Sequence, residues 1–365
     1  MTEQVPSSIP LAIIGAGPAG LAAVAVARRY GIDVALLDEQ SGPGGQIYRG
    51  IGYADADRMA MLGAEYADGR ALLPSAEDPG RHDLYGATVW QITADGEIYY
   101  SRGGKAAALR AEHIILATGA IERPMPIPGW TLPGVMTAGA GQTMLKSSGL
   151  VPQGRLVITG SGPLLWLLAV QYGRAGVDIA ALVETTPRGN YHQAVFKLPG
   201  LLREGTLLRQ GRALRRELKR QGVPHFKQAK DLRAMGDDQV EALRFAANGQ
   251  EHEIACDLLL LHMGVTPNVQ FTRALDLAHD WDQVQRCWRP RCGTAGETEI
   301  SNIRLAGDGA QLGHLQRGAR FPAQQDQGRG DAGNAGGAQG GRRRLATRAF
   351  RHGVHLPPRL QRGAR

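Results

Sequence analysis

One segment near the start of the chain, LAIIGAGPAGLAAVAVARRYGIDVALLDE, constrains the fold more than any other. An apolar strand at 11–14 leads into the turn GAGPAG, an alanine-rich helix reaches about Tyr30, and a second strand ends at Asp38. In such a unit the first glycine permits a tight turn, the second lets backbone approach a pyrophosphate, and the third lets helix and strand pack closely. The segment therefore predicts a βαβ unit in which Asp38 accepts a hydrogen bond from a ribose hydroxyl of the ligand. Its predicted pyrophosphate-binding residues are Gly15, Gly17, Pro18, Ala19 and Gly20.

A second segment, GRLVITGSGPLLWLLAVQYGRAGVDIAALVE, repeats this order. Its turn is Gly160-Ser161-Gly162 and its second strand ends at Glu184, but Leu165 occupies the place of the third glycine. A leucine there is expected to hold the helix off the strand, which weakens the case for a tightly bound dinucleotide. Two interpretations stay open: a site for NAD(P) or another nucleotide at Gly160, Gly162 and Glu184, or a domain kept for structure.

Three further patterns follow the first unit. The stretch TVWQITADGEIYYS alternates like a hairpin with a turn at Asp95-Gly96. A buried strand then runs into Thr118-Gly119, followed by a proline-rich connector at 124–128. Much later, NIRLAGDGA brings a strand onto Gly307-Asp308-Gly309, where we expect a carboxylate aimed at a polyol or ribityl chain rather than an ordinary turn.

These elements predict an α/β fold of two Rossmann-like domains, the second inserted in the first. The predicted bounds are 8–125 for the first part of the first domain, 126–270 for the second domain, 271–310 for the return segment and 311–365 for a disordered Arg/Gly-rich tail.

The basic charge of the chain resides in that tail. The net charge is +8, yet residues 311–365 hold 11 Arg and 2 Asp without Lys or Glu, so the first 310 residues have a net charge of −1. A nearly neutral body disfavours nucleic acid as its partner. The tail has two interpretations, an Arg-rich nucleic-acid arm or the product of a frameshift after Ala310, and its lack of Lys favours the frameshift.

The remaining residue types exclude several classes of site. Three cysteines, Cys256, Cys287 and Cys292, are too few for a disulfide framework, and no metal site is predicted. Because His113 and His262 flank apolar strands, we interpret both as local structure, and no catalytic acid or base is named. No apolar run reaches the ~20 residues that span a bilayer, so the chain is expected in the cytoplasm, or at the inner membrane through a complex.

The motifs GAGPAG, LLDEQSGPGGQ, ATGA, GSGP and LAGDGA, in this order, resemble the two-dinucleotide-domain flavoproteins of the pyridine nucleotide-disulfide reductase superfamily. More narrowly, DEQSGPGGQIYRG and GAIERPMPIPGWTLPGVMTAGAGQTMLKSSG resemble the FAD-containing alpha subunits of opine oxidases, hydroxyproline dehydrogenases and hydrogen cyanide synthase.

The resemblance implies FAD in the first domain and places the loop at 44–46 near the inner face of the flavin, where its glycines leave room for the ring. Direct roles for Gln46 and Tyr48 stay open beside a role in supporting the loop. The further cofactor-binding residues that it implies are Asp38, Glu39, Gly44, Gly45, Gln46, Val89, Thr118, Gly119, Gly307 and Asp308.

The resemblance also implies a function. The chain would be the electron-transferring subunit of an amine, opine or imino-acid dehydrogenase or oxidase, with the substrate oxidised in a flavin-containing beta subunit and electrons passed to a quinone or another carrier. Two alternatives stay open: a stand-alone NAD(P)H-dependent flavoprotein reductase, and a truncated or frameshifted product without function. Since QIYRG follows the glycine pair where disulfide-reducing members carry a cysteine pair, disulfide reduction is disfavoured.

Overall fold

The computed structural model describes residues 6–75, 78–187 and 205–310, and these form two compact units. The first unit contains the described residues up to Ala54, Ala64–Ile121 and those from Thr266 onward, and the second contains Asp55–Gly63 and Glu122–Val265. The predicted insertion of one domain in the other is therefore confirmed. By contacts, the chain enters the second unit at Glu122 and leaves it before Thr266. The predicted tail at 311–365 lies outside the described residues.

The helices and strands alternate as the two βαβ segments predict. The helices are α1 (Pro18–Arg29), α2 (Ala56–Leu62), α3 (Ala64–Ala67), α4 (Ala138–Ser148), α5 (Pro163–Arg174), α6 (Gly205–Arg220) and α7 (Gln270–Ala274), with 3₁₀ turns at Asp68–Leu72 and Gly307–Gly309. The strands are β1 (Ser8–Ile14), β2 (Val34–Asp38), β3 (Arg81–Tyr85), β4 (Thr88–Ile92), β5 (Glu97–Arg102), β6 (Lys105–Leu116), β7 (Ala120–Glu122), β8 (Val135–Thr137), β9 (Leu156–Gly160), β10 (Ile179–Glu184), β11 (His225–Phe226), β12 (Lys230–Met235), β13 (Ala242–Ala247), β14 (Gln250–Ala255), β15 (Leu258–His262), β16 (Val265–Pro267), β17 (His279–Asp282), β18 (Cys287–Pro290) and β19 (Ile303–Leu305).

The first unit is built on a seven-stranded sheet in the order β3-β2-β1-β6-β5-β4, with β19 also paired to β6. Strands β1, β2, β3, β6 and β19 run parallel, whereas the predicted hairpin β4–β5 runs antiparallel to its neighbours. The 12-residue strand β6 pairs with β5 along its first half and with β19 along its last residues. One long strand therefore joins the hairpin arm to the parallel layer.

Helix α1 covers one face of this sheet. Its small and branched residues Leu21, Val24 and Val26 are buried against Leu11 and other residues of β1 and β2. Pro18 opens the first turn, where its missing N–H costs nothing, and basic residues end the last turn. The helix axis is thereby fixed with its N-terminus at the carboxyl edge of the strands.

The second unit has a five-stranded parallel sheet in the order β11-β10-β9-β15-β8. Its central strand β9 is buried along its whole length, as expected for a parallel strand covered on both faces. The antiparallel sheet β12-β13-β14 packs on one face through Leu243 and Phe245, and helices α4 and α5 contact strands of the same sheet. The second glycine turn thus lies between β9 and α5, as predicted.

In the described residues, no helix is both long enough and apolar enough to pass through a bilayer.

Candidate dinucleotide sites at two strand edges

Four parallel strands of the first unit end at one edge of the sheet. Ile14 pairs with Leu37 on one side and Leu116 on the other, and Leu116 pairs with Leu305. The residues that follow each strand therefore come together where ligands bind in open α/β sheets. They are the turn at 15–20, Asp38, Thr118 with Gly119, and Gly307 with Asp308.

The three positions of the first turn are occupied by glycine for different structural reasons. A Cβ on Gly15 would lie 2.4 Å from the carbonyl oxygen of Ala117, and one on Gly20 would lie 1.8 Å from the carbonyl oxygen of Gly15. Both positions need glycine for the fold itself. At Gly17, by contrast, the nearest atom to a Cβ is Gly45 Cα at 3.8 Å, so space is open in front of the N-terminus of α1. That space and the unpaired N–H groups of a helix N-terminus suit a phosphate.

Asp38 holds this turn from the end of β2. Its Oδ2 accepts a hydrogen bond from the backbone N–H of Ala16 at 2.5 Å, and its Oδ1 accepts one from Gln40 at 2.8 Å. Burial raises the pKa of Asp38, and the two amides oppose that shift. Each oxygen retains a lone pair for a ligand hydroxyl. Glu39, the next residue, is exposed.

The glycine pair of the loop after β2 contacts the turn. The backbone N–H of Gly44 donates to Ala16 at 2.9 Å, and a Cβ on Gly45 would lie 2.7 Å from Gly17 Cα. A Cβ on Gly44 would lie 2.2 Å from the carbonyl oxygen of Tyr48. The family resemblance assigns these glycines to the space for a ring. In the structure, backbone contacts within the loop and with the first turn already require them, and Gln46 next to them is exposed.

Tyr48 supports the loop. Its ring is buried, lies 6.4 Å from that of Tyr66 and contacts the backbone at Gly69, where a Cβ would come within 2.2 Å of it. Burial raises the pKa of Tyr48 to about 12. Of the two roles left open for this residue, the structure favours the structural one.

The return segment places a carboxylate beside the helix N-terminus. Gly307 has a φ of +71°, and a Cβ there would lie 2.8 Å from Cβ of Ala19. Burial raises the pKa of the next residue, Asp308, to about 6, opposed by a hydrogen bond from its own amide. Thr118 lies close by, since its Oγ1 would be 3.8 Å from a Cβ on Gly309.

The last two predicted residues of the first site lie at its margin. Gly119 accepts a hydrogen bond from the N–H of Asn268 at 3.0 Å, which fixes the chain after β6. Val89 lies in β4, paired with Tyr100 and packed on the core. Ala87, which precedes β4, donates its N–H to the carbonyl oxygen of Asp38 at 3.0 Å. Val89 therefore lies two residues along the chain from a backbone contact with the site.

The second turn differs from the first in its backbone. Gly162 has a φ of +107°, whereas the matching Gly17 has a φ of −71°. Leu165, at the place of the third glycine, is completely buried. Leu165 belongs to the first turn of α5, and the altered turn before the helix accommodates its side chain. The second unit keeps a helix N-terminus after its glycine turn, but the backbone of that turn differs from the glycine turn of the first unit.

The predicted ribose acceptor of the second site has another partner. Glu184 is 7% exposed, and its Oε2 lies 3.2 Å from Nε2 of His225. The ring of Trp166 meets His225 edge-on, with centroids 5.2 Å apart. The side chain of Glu184 is therefore engaged at the end of β10 rather than open to a ligand.

Sequence reasoning misses a histidine–carboxylate pair at this second edge. The sequence indicates only local structure for His262, but its Nδ1 is hydrogen bonded to Oε1 of Glu122, 140 positions away in the chain. The other oxygen of Glu122 accepts a hydrogen bond from the backbone N–H of Gly139 at 2.7 Å. No local sequence pattern predicts a contact between two residues so far apart in the chain.

In the ranges 6–75, 78–187 and 205–310, no group of three or more His, Cys, Asp or Glu side chains is arranged to hold a metal ion. Cys256 and Cys287 are buried and Cys292 is half-buried, all three as free thiols.

Comparisons with known proteins agree on the class of protein. The family model for the pyridine nucleotide-disulphide oxidoreductases matches residues 9–353. One of the subunits of the opine oxidase of Agrobacterium tumefaciens is 38% identical over 315 residues, covering 84% of this chain and 62% of that protein. The HcnB subunit of the hydrogen cyanide synthase of Pseudomonas aeruginosa is 33% identical, covering 82% and 66%. The chain thus spans less than two thirds of either relative.

Among solved structures, the thioredoxin reductase of T. acidophilum superposes with a TM-score of 0.56 at 17% identity, covering 96% of this chain and 100% of that one. At this identity the likeness establishes the fold, which is that of a two-dinucleotide-domain reductase.

Proposed function

Since the chain belongs to the pyridine nucleotide-disulphide oxidoreductase family and is an FAD-dependent oxidoreductase, we propose that it is the electron-transferring subunit of a complex that oxidises an amine, opine or imino acid. The observation that supports this most is the contrast between the two strand edges. At the first edge the glycine turn is open, and its carboxylate, Asp38, accepts hydrogen bonds from two backbone amides. At the second edge the turn is altered, and its carboxylate, Glu184, is paired with the side chain of His225.

The residues of the first unit fit FAD. The open space in front of Gly17 admits a pyrophosphate against the N-terminus of α1, and Asp38 at the end of β2 is hydrogen bonded to the same turn through Ala16. Asp308 is half-buried and, among the described residues, accepts only from its own amide, so it can accept a hydrogen bond from a ligand hydroxyl. FAD supplies the redox chemistry when bound, and the chain supplies its position and electrostatic surroundings.

The described loop that follows the glycine pair contains no cysteine, although a thiol pair for disulfide reduction is expected there. Cys256 is in the core of the second unit, while Cys287 and Cys292 lie in or after β18. The loop that follows the glycine pair carries Gln46 and Tyr48 instead.

The described part of the first unit offers no histidine base at the strand edge. His82 lies in β3, His113 lies within β6, and His279 starts β17, where its ring is bonded to Thr272 and Leu277. General base catalysis on an amine needs a group within hydrogen-bonding reach of the substrate. This supports oxidation of the substrate on a partner, as do the relatives, which are named subunits of opine oxidase and hydrogen cyanide synthase.

Co-expression tests the proposal. The chain is purified alone and together with the product of a neighbouring flavin-dehydrogenase gene, and reduction of a dye acceptor is followed with a panel of amines, opines and imino acids. We expect substrate-dependent reduction only from the complex, with the flavin of this chain bleaching when substrate is added without acceptor.

Two results would contradict the proposal. Rapid substrate oxidation by the isolated chain would show that the substrate site is its own. Fast NADPH oxidation by the isolated chain would establish the stand-alone reductase instead.

A further inference from the structure

Helix α6 concentrates positive charge in a part of the chain that is otherwise acidic. Its 16 residues, GTLLRQGRALRRELKR, include six basic side chains and one acidic side chain, so the helix has a net charge of +5. Since residues 1–310 together have a net charge of −1, those outside α6 have a net charge of −6. The helix is therefore a basic feature on an acidic background.

The basic residues of α6 share one side of the helix, and all of them are exposed. With the spacing of an α-helix, they cover about 140° of its circumference and about 17 Å of its axis. We call this set the basic stripe. Its members are Arg209, Arg212, Arg215, Arg216, Lys219 and Arg220.

The opposite side of α6 packs on the protein. Leu218 is buried, Leu214 is half-buried, and the helix contacts α5. Both leucines lie more than about 120° around the helix from the middle of the stripe. The apolar side is therefore occupied by the second unit, and the charged side is the one presented to solvent.

The single acid of the helix leaves the stripe largely uncompensated. The Oε2 atom of Glu217 accepts a hydrogen bond from Arg220 at 2.6 Å, and its Oε1 accepts one from Gln221 at 3.3 Å. Among the described residues, Arg220 is the only member of the stripe with an acidic partner, and its side chain is still 76% exposed. The other members remain available to an anionic surface.

We propose that the basic stripe binds the surface of a bilayer that contains anionic lipids. A cluster of this many basic side chains on an amphipathic helix is typical of such binding. The guanidinium fork of arginine matches two oxygens of a phosphate, which is the charged group of these lipids.

The position of α6 determines how the chain binds. Because the apolar side of the helix is packed on α5, binding takes place through charge at the lipid headgroups and without insertion of the helix into the bilayer. The acidic remainder of residues 1–310 is repelled by the same surface, which orients the stripe toward the membrane. Binding should therefore be reversed by salt.

Nucleic acid is another phosphate-rich partner, but the stripe suits it less well. No aromatic or amide residue occupies a position on the arc of the stripe, so no group is provided there for base stacking or base recognition. A lipid surface requires neither, because its recognition depends on charge alone.

Sedimentation with vesicles tests the proposal on the full chain loaded with FAD. The vesicles contain phosphatidylcholine alone or phosphatidylcholine with about 30% of the anionic lipid phosphatidylglycerol. Binding is measured at about 50 mM and about 500 mM salt, because salt screens the attraction between exposed charges. A single-stranded RNA of mixed sequence is titrated at the same salt concentrations.

Two variants of equal charge are compared with the wild-type chain. The stripe variant replaces three basic residues by glutamine, which is a good helix former. Its substitutions are Arg212→Gln, Arg216→Gln and Lys219→Gln. The control variant removes the same charge from exposed positions of β12 and β13. Its substitutions are Lys230→Gln, Arg233→Gln and Arg244→Gln.

The control positions lie on the other side of the second unit. Leu259 and Leu261 of β15 share a core with Phe245 of the antiparallel sheet. Leu260, whose side chain points to the opposite face of β15, lies beside Gly141 of α4, together with Tyr172 of α5. The antiparallel sheet and α5 therefore cover opposite faces of the parallel sheet.

We expect the wild-type chain to sediment with the anionic vesicles at low salt, to be released at high salt, and to ignore phosphatidylcholine alone. Each basic side chain near an anionic surface is worth about fivefold in partitioning, so the stripe variant should bind about a hundredfold more weakly. The control variant should change the partitioning by less than about twofold. Circular dichroism and flavin absorbance should be the same for all three proteins.

Equal losses in the two variants would overturn the proposal, because net charge, including the 11 Arg of residues 311–365, would then account for binding. Binding to RNA that depends on the stripe, without binding to vesicles, would overturn it in favour of nucleic acid. The outcome is independent of the electron-transfer role, because sedimentation is measured without substrate, partner or acceptor.

Discussion

The half-buried carboxylate of Asp308 should make the FAD-free protein less stable as the pH rises. Its pKa is raised from 3.8 to about 6 because burial penalises the charged form. The folded chain thus binds this proton more tightly than the unfolded chain, and the free energy of unfolding falls as the pH rises from about 4 through about 6. The difference between the pKa of Asp308 in the unfolded chain and in the folded chain lowers the free energy of unfolding by about 3 kcal/mol at pH 8 and by about half of that at pH 5.

The substitution Asp308→Asn removes this charge and should act in opposite directions on folding and on binding. Without FAD, the variant should be more stable than the wild-type chain at pH 8 by up to about 3 kcal/mol. With FAD, its affinity should fall roughly fivefold to tenfold, because a carboxylate accepts a hydroxyl hydrogen bond about 1 kcal/mol more strongly than an amide does.

Urea unfolding followed by circular dichroism at pH 5 and pH 8 measures the first effect, and quenching of flavin fluorescence measures the second. Asp68→Asn is the control, since Asp68 is an exposed carboxylate of the same unit. If Asp308→Asn showed the same pH dependence as the wild-type chain, the buried charge would not be its cause. A variant less stable at pH 8 with unchanged FAD affinity would refute the reasoning.

Three further substitutions separate binding from folding in the first turn. Gly17→Val should change the free energy of unfolding by less than about 1 kcal/mol yet abolish the visible flavin absorbance of the purified protein, whereas Gly42→Ala, in open space, should keep it. Gly20→Ala brings a Cβ against the carbonyl oxygen of Gly15 and should destabilise by about 1–3 kcal/mol, seen as a lower Tm. Asp38→Ala leaves two backbone amides without their acceptor and should cost about 2 kcal/mol in urea unfolding. Flavin retained by Gly17→Val, or unchanged stability in the other two, would contradict these assignments.

The sequence is sufficient where the chemistry is local. The segment 11–38 combines two strands, three spaced glycines, a helix and an acid within 28 residues, so each element supports the others. The Gly-Asp motif at 307–308 is predictable for the same reason, since it directly follows a buried strand.

It is insufficient where the cause is tertiary. Residues 55–63 belong to the second unit although they lie between segments of the first, and nothing in their composition indicates this. Gly44 and Gly45 are required by contacts with Tyr48 and Gly17, which depend on how the loop returns to the turn. A glycine motif predicts flexibility of the backbone but not the atom that would collide with a Cβ.

The second site shows the same limit. From sequence, Leu165 is expected to obstruct close packing, but the positive φ of Gly162 changes the turn that the leucine must fit. His262 and Glu122 meet only because β15 and β7 end near one another. A pair separated by 140 positions becomes visible only with the fold.

The pairing of β19 with β6 has a consequence for synthesis on the ribosome. Strand β6 is complete at Leu116, but β19 begins only at Ile303, after the whole second unit has been translated. The nascent chain must therefore hold the carboxyl end of β6 without this neighbour while the inserted unit emerges, and domains generally fold as units during translation. The inserted unit is expected to fold first, and Asp308 is translated only after it. Flavin loading then becomes a late event, because it requires the return segment of the first unit.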